Sequence, residues 1–116
     1  MDERVKPIRI TFTRTGEVYE LDFSRDSVRF AESRAFDPQE LTKYPSTKIP
    51  EFWFYAFRKN HKKLSRQQTD KLLEEIGGVT PEMLERLGLL YAQAAQSNNF
   101  QDQEDFEKNG AATVEM

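Results

Sequence analysis

The chain contains no cysteine. That excludes disulfide staples, thiolate zinc sites, iron–sulfur clusters and cysteine nucleophiles, and it suits a reducing cytosol. Histidine is nearly as scarce: His61 stands alone, between Asn60 and the pair Lys62 and Lys63. A Ser/His/Asp triad or a histidine-rich metal site would have to pass through this one residue, and neighbouring cations repel a metal ion. The better reading of His61 is a solvated helix cap. Long apolar runs are missing too. The longest, residues 52–57, is far short of the roughly 20 residues a bilayer requires. No apolar segment of the secretory type follows Met1-Asp2-Glu3-Arg4, so the expected location is the cytoplasm. A glycine-rich phosphate loop, an H-E-x-x-H zinc helix and a G-x-S-x-G elbow are absent as well. No catalytic, cofactor or metal site is therefore expected, and the chain reads as a non-enzyme.

What is present is aromatic. The 116 residues carry nine Phe, four Tyr and one Trp despite a mean hydropathy of -0.79 and 32% charged residues. That is enough for one folded core and leaves little room for a second. The net charge of -3 conceals an asymmetry: residues 1–63 hold 13 basic and 10 acidic groups, and residues 64–116 hold 4 basic and 10 acidic. A surplus of three cations is too weak for a dense nucleic-acid-binding face. Opposite signs in the two parts suit self-complementary packing of a homo-oligomer.

Two period-two runs open the chain. Ile8, Ile10 and Phe12 alternate with Arg9, Thr11 and Thr13, and Tyr19, Leu21 and Phe23 alternate with Glu20 and Asp22, with Gly16 in the polar connector. This predicts a β-hairpin with six apolar side chains on one face, an element unstable alone and in need of helices or a partner strand. Ser24 to Arg34 predicts a short helix, with Val28, Ala31 and Ala35 on one stripe. Asp37-Pro38-Gln39-Glu40 predicts a brief helical turn stopped at Tyr44-Pro45. From about 47 to 62, Ile49, Phe52, Trp53, Ala56 and Phe57 form a helical stripe, with Phe54 and Tyr55 off it. Arg58, Lys59, His61, Lys62 and Lys63 complement the dipole at its end. Ser65 and Gln68 have capping-box spacing before a helix closed by Gly77-Gly78, and Thr80-Pro81-Glu82 opens the last one. The fold class expected is α+β: the hairpin on a bundle of four or five short helices within residues 1–99, then a disordered acidic tail at 100–116.

Carboxylate pairs offer no catalysis, since Glu74 and Glu75 point about 100° apart on a helix. Residues 64–87 have helix-turn-helix order, which raises the alternative of a small DNA-binding regulator. Glu82 and Glu85 at the start of the would-be recognition helix oppose it, and packing as an αα-hairpin reads better. The aromatic helix is too apolar on all sides to be hidden in so small a domain. Trp53, Phe54, Tyr55, Arg58 and Lys59 are therefore the candidate partner-binding residues, together with the hairpin edge.

The order hairpin, helix, aromatic helix ending in FRKNHKKLSRQQTDKLLEEIGG, then TPEMLERLGLLYAQA and a loose tail, resembles the small tail assembly chaperones of long-tailed bacteriophages and Gram-positive prophages. The likeness spans about residues 8–97 and is one of order and length. It implies a non-catalytic protein of the bacterial host cell cytoplasm that coats the tape measure protein and helps recruit tail tube subunits. It also implies that a longer frameshifted form is made in many members, with 100–116 as a suitable joint.

Overall fold

The alternating runs become strands and the 3.6-residue stripes become helices. The computed structural model describes residues 4–99; the tail expected at 100–116 lies outside them. Strands β1 (Ile8–Thr11) and β2 (Val18–Leu21) precede α1 (Arg25–Ser33), a 3-10 turn (Pro38–Glu40), α2 (Pro45–Phe57), α3 (Arg66–Ile76) and α4 (Pro81–Asn99). The architecture is the α+β one expected: an N-terminal hairpin followed by four helices.

The strands pair antiparallel, with Ile8 opposite Leu21 and Ile10 opposite Tyr19, so one face is apolar and the other carries Arg9, Thr11, Val18 and Glu20. Phe12 and Phe23 lie just past the strand ends and are buried. The connector closes through two bonds: the Phe12 N–H donates to the Glu17 carbonyl at 2.8 Å, and the Gly16 N–H to the Phe12 carbonyl at 2.7 Å. Gly16 sits at φ +74°, where a Cβ would be strained.

Caps fix the helices. Ser24 and Ser27 form a reciprocal capping box at α1, and Ser65 and Gln68 do the same at α3. At α4 the Thr80 hydroxyl accepts from the Met83 N–H at 3.1 Å. Gly77 ends α3 at φ +78°, with the Gly78 N–H reaching back to the Leu73 carbonyl. The same motif ends α1, but with Ala35 at φ +61°: the Phe36 N–H donates to the Ala31 carbonyl and the Ala35 N–H to the Glu32 carbonyl. Ala35 is thus an exposed left-handed residue and not part of the buried stripe. Its conformation delivers Phe36 to the core, which offsets the steric cost of an αL alanine.

Helix α2 departs from expectation at both ends. Pro45 occupies its first turn, where no intrahelical N–H is needed, so it starts α2 as well as stopping the preceding turn. The helix stops at Phe57, five residues short of Lys62, because the chain tightens there. The Arg58 N–H donates to the Tyr55 carbonyl at 3.2 Å and the His61 N–H to the Phe57 carbonyl at 2.7 Å. That turn brings Asn60 and His61 against β2.

The core is assembled on α2. Phe52, Trp53, Ala56 and Phe57 are buried, and Phe52 stacks between Phe23 and Phe36 at ring distances of 5.2 and 5.3 Å. Tyr91 of α4 packs edge-on against Phe23, Phe36 and Phe52. Such contacts add to the apolar burial itself. Helix α3 lies against α2, tied by the indole N–H of Trp53 donating to the Thr69 carbonyl at 2.7 Å, whereas α4 lies against α1 and β1. The αα-hairpin expected of α3 and α4 is therefore not formed: each found a larger apolar surface elsewhere than on the other.

Candidate functional site

The candidate binding residues separate by depth. Trp53 is 0% exposed and Tyr55 5% exposed, so neither presents a surface to a partner, contrary to the expectation from sequence. Tyr55 falls on the buried arc because α1 covers that side of α2, with the Phe30 ring 5.8 Å away and the Phe36 ring 5.2 Å away. Burial pushes its phenol above the ordinary value, and the charge of Glu51 adds to this against the opposing charges of Arg34, Arg66 and Lys48. Lys59 is occupied internally, its ammonium 2.5 Å from the Asp22 carboxylate. Asp22 is itself 7% exposed and also accepts from the Phe23 N–H, so this pair fastens the end of β2 to the end of α2.

Phe54 and Arg58 remain at the surface, and α1 supplies their counterparts. Phe30 and Phe54 are both half-buried, 6.5 Å apart and edge-on. The Arg58 guanidinium lies over the Phe30 ring at 3.6 Å and that of Arg34 at 4.7 Å. Each helix thus presents Phe-x-x-x-Arg, the i, i+4 spacing that places both side chains on one face. Nearby acids are engaged elsewhere, Glu51 with Lys48 at 3.5 Å and Asp70 with Arg66 at 3.0 Å. Among the described residues neither Arg34 nor Arg58 has an acidic partner within ion-pair distance. Two guanidiniums held on an aromatic ring, with a second ring beside them, form a preorganised amphipathic face. Phe30 and Arg34 were missed in the sequence, although their spacing repeats that of Phe54 and Arg58.

The two hairpin edges differ. On β2 the Glu20 N–H donates to Nε2 of His61 at 3.0 Å, the Asp22 N–H to the Ala56 carbonyl at 3.1 Å, and the Asn60 amide to the Glu20 carbonyl at 3.3 Å. His61 is therefore no solvated cap: it accepts through an unprotonated Nε2 and packs edge-on against Tyr19 and Phe57. Because the backbone N–H groups of Glu20 and Asp22 point away from β1, Tyr19 and Leu21 are the residues bonded to it, and Arg9 and Thr11 turn their backbone groups away from β2. Those groups have no hydrogen-bond partner among the described residues, so β1 offers a free edge.

Among the described residues no group of three or more His, Asp or Glu is placed to hold a metal ion, and no helix is long and apolar enough to cross a membrane. In comparisons with known proteins, a family described as a domain of unknown function, DUF5055, matches residues 2–116. No curated protein and no solved structure matches the chain.

Proposed function

The chain belongs to the DUF5055 family, and we propose that it is a non-catalytic polypeptide-binding protein, a tail assembly chaperone that holds the tape measure protein and assists tail tube assembly. The observation that carries this reading is the α1–α2 face, where Phe30 and Phe54 stay half-exposed and Arg34 and Arg58 are held over Phe30. A helical polypeptide with apolar side chains one turn apart fits such a face, the rings giving affinity and the guanidiniums orientation. The free β1 edge supports a second contact, to a tail tube subunit or another copy of the chain. The rival reading, a DNA-binding regulator, draws less support, since α3 and α4 pack on different elements and Glu82 lies in the first turn of α4.

The test is the gene neighbourhood, where this reading expects a tape measure gene beside this one, and co-purification with the protein that gene encodes. Wild type is expected to bind with weak salt dependence, and the Phe30→Ala/Phe54→Ala variant to lose about tenfold or more in affinity while keeping its helical spectrum. Unchanged binding in that variant would overturn the assignment of the face. Duplex DNA binding that falls steeply with salt would overturn the chaperone reading itself.

A further inference from the structure

The outward backbone groups of β1 form a pattern that is its own complement. Among the described residues the N–H and carbonyl groups of Arg9 and Thr11 have no hydrogen-bond partner, whereas the other edge of the hairpin is closed by α2 and the turn after it. No bulge or proline blunts the free edge between Ile8 and Thr11, where the register with β2 is unbroken. Its one charge, Arg9, lies opposite Glu20 on the outer face.

The inner face beside that edge is incompletely covered as well. Ile8 and Ile10 pack against the core and are still only half-buried. Leu89 of α4 is 51% exposed and stands one turn before Gln93, whose Oε1 accepts from the Val5 N–H at 2.7 Å. The i, i+4 spacing puts Leu89 on the face of α4 that meets the segment leading into β1, and α4 itself packs on β1. Unpaired backbone and open apolar surface thus lie side by side.

We propose that β1 pairs with β1 of a second copy of this chain, antiparallel across a two-fold axis, joining the two hairpins into one sheet. Backbone geometry and charge choose the register. With Arg9 opposite Arg9 of the second copy, like charges meet and Thr11 faces Pro7, which has no N–H. With Thr11 opposite itself, Arg9 needs Thr13, which has already left the strand for the connector. With Arg9 opposite Thr11 of the second copy, each pair exchanges both N–H···O bonds, no like charges stand opposite, and Ile10 meets its counterpart on the axis. One strand supplies both sides of this contact, as a two-fold dimer requires, which favours a copy over a foreign strand. A seam this short falls below the roughly 1,200 Å² of a stable interface, so the dimer is weak and concentration-dependent. It uses no residue of the α1–α2 face and stands or falls separately from the function proposed above.

Sedimentation equilibrium of the full chain up to about 1 mM should show a reversible dimer. Thr11→Glu, facing Arg9 of the second copy, should tighten it on the order of fivefold, and Thr11→Arg should weaken it by about as much. Thr11 is exposed, so both changes leave the core intact. The absence of native cysteine gives a readout of register. On oxidation, Ile10→Cys should cross-link to its counterpart about tenfold or more faster than Thr11→Cys, because a non-hydrogen-bonded pair brings Cα atoms to about 4.5 Å. The two Thr11 positions lie two residues apart along the seam, beyond bridging reach. A chain monomeric at about 1 mM would overturn the proposal, as would a dimer indifferent to both charge variants or equal cross-linking at the two positions. So would Arg9 and Thr11 amides protected from exchange only when a different protein is added, which would assign the edge to a foreign strand.

Discussion

Trp53 and Phe54 are neighbours in the chain and opposites in the fold. The indole is sealed between α2 and α3 with its N–H satisfied by Thr69, and the next ring lies half-open on the α1–α2 face beside Phe30. One short helix thus supplies both the interior and the candidate binding surface. The difference teaches that aromatic content alone does not mark an interface; what marks it is an aromatic group paired with a cation that has no acid of its own. Interior rings touch other rings and carbonyls, whereas Phe30 touches two guanidiniums as well as the rings of Phe54 and Tyr55.

The largest expected effect breaks the interior side of this comparison. Trp53→Ala removes a fully buried side chain and leaves the Thr69 carbonyl without its donor, for a loss of about 3–5 kcal/mol. That is a large part of the roughly 5–15 kcal/mol by which a domain is stable. Phe54→Ala, one residue on, should cost less than about 2 kcal/mol, since half of that ring is already in water. Urea denaturation of both variants checks the contrast, and equal losses would make Phe54 a core residue.

Much of this was legible in the sequence, because local chemistry dictated it. Alternation gave the hairpin its register, Ser24, Asp37, Ser65 and Thr80 marked helix starts, and Gly77 marked an end. What failed depended on which element covers which. The helical wheel put Tyr55 on an outer side, but α1 returns over that side and buries it. The residues at 58–63 looked like a dipole complement; the helix in fact ends at Phe57, and Arg58, Lys59 and His61 go to a ring, an acid and a strand edge respectively. Ala35 gave no signal of its αL conformation, since alanine at that position looks like one more helix former. At the candidate site Phe54 and Arg58 were visible in sequence. Phe30 and Arg34 were not, because only the packing of α1 on α2 makes two separate Phe-x-x-x-Arg segments into one face.

A smaller effect sharpens the interior side through pH. Burial, with the charges of Glu32 and Asp37 behind it and Tyr55 nearby, pushes the Tyr91 phenol up to about 12, and burial raises Tyr55 as well. In the unfolded chain these phenols ionise near pH 10. Between those values the unfolded state releases protons that the folded state keeps, so the folded state binds more protons and stability falls as pH rises. The contribution is fully present below about pH 10 and is lost as pH passes through about 12. Urea midpoints measured on either side of pH 10 should decline more steeply in the wild type than in Tyr91→Phe, which has no proton to lose there. Identical slopes would place the Tyr91 hydroxyl in water.

The smallest expected effect tests the surface side. Arg58→Gln keeps a polar chain at the end of α2 but removes the cation 3.6 Å from the Phe30 centroid, an interaction worth about 0.5–1 kcal/mol at exposed sites. Arg34 remains at 4.7 Å, so the single substitution should cost less than that range suggests. A double-mutant cycle with Phe30→Leu isolates the pair, because leucine retains apolar bulk and loses the ring face. A coupling of a few tenths to about 1 kcal/mol means that the guanidinium is held in place before any partner arrives. Zero coupling would leave Arg58 a free surface cation, with no preorganised face on α1 and α2. A coupling above about 2 kcal/mol would mean a desolvated pair, and the line between the interior and the face would have to move outward to include Phe30.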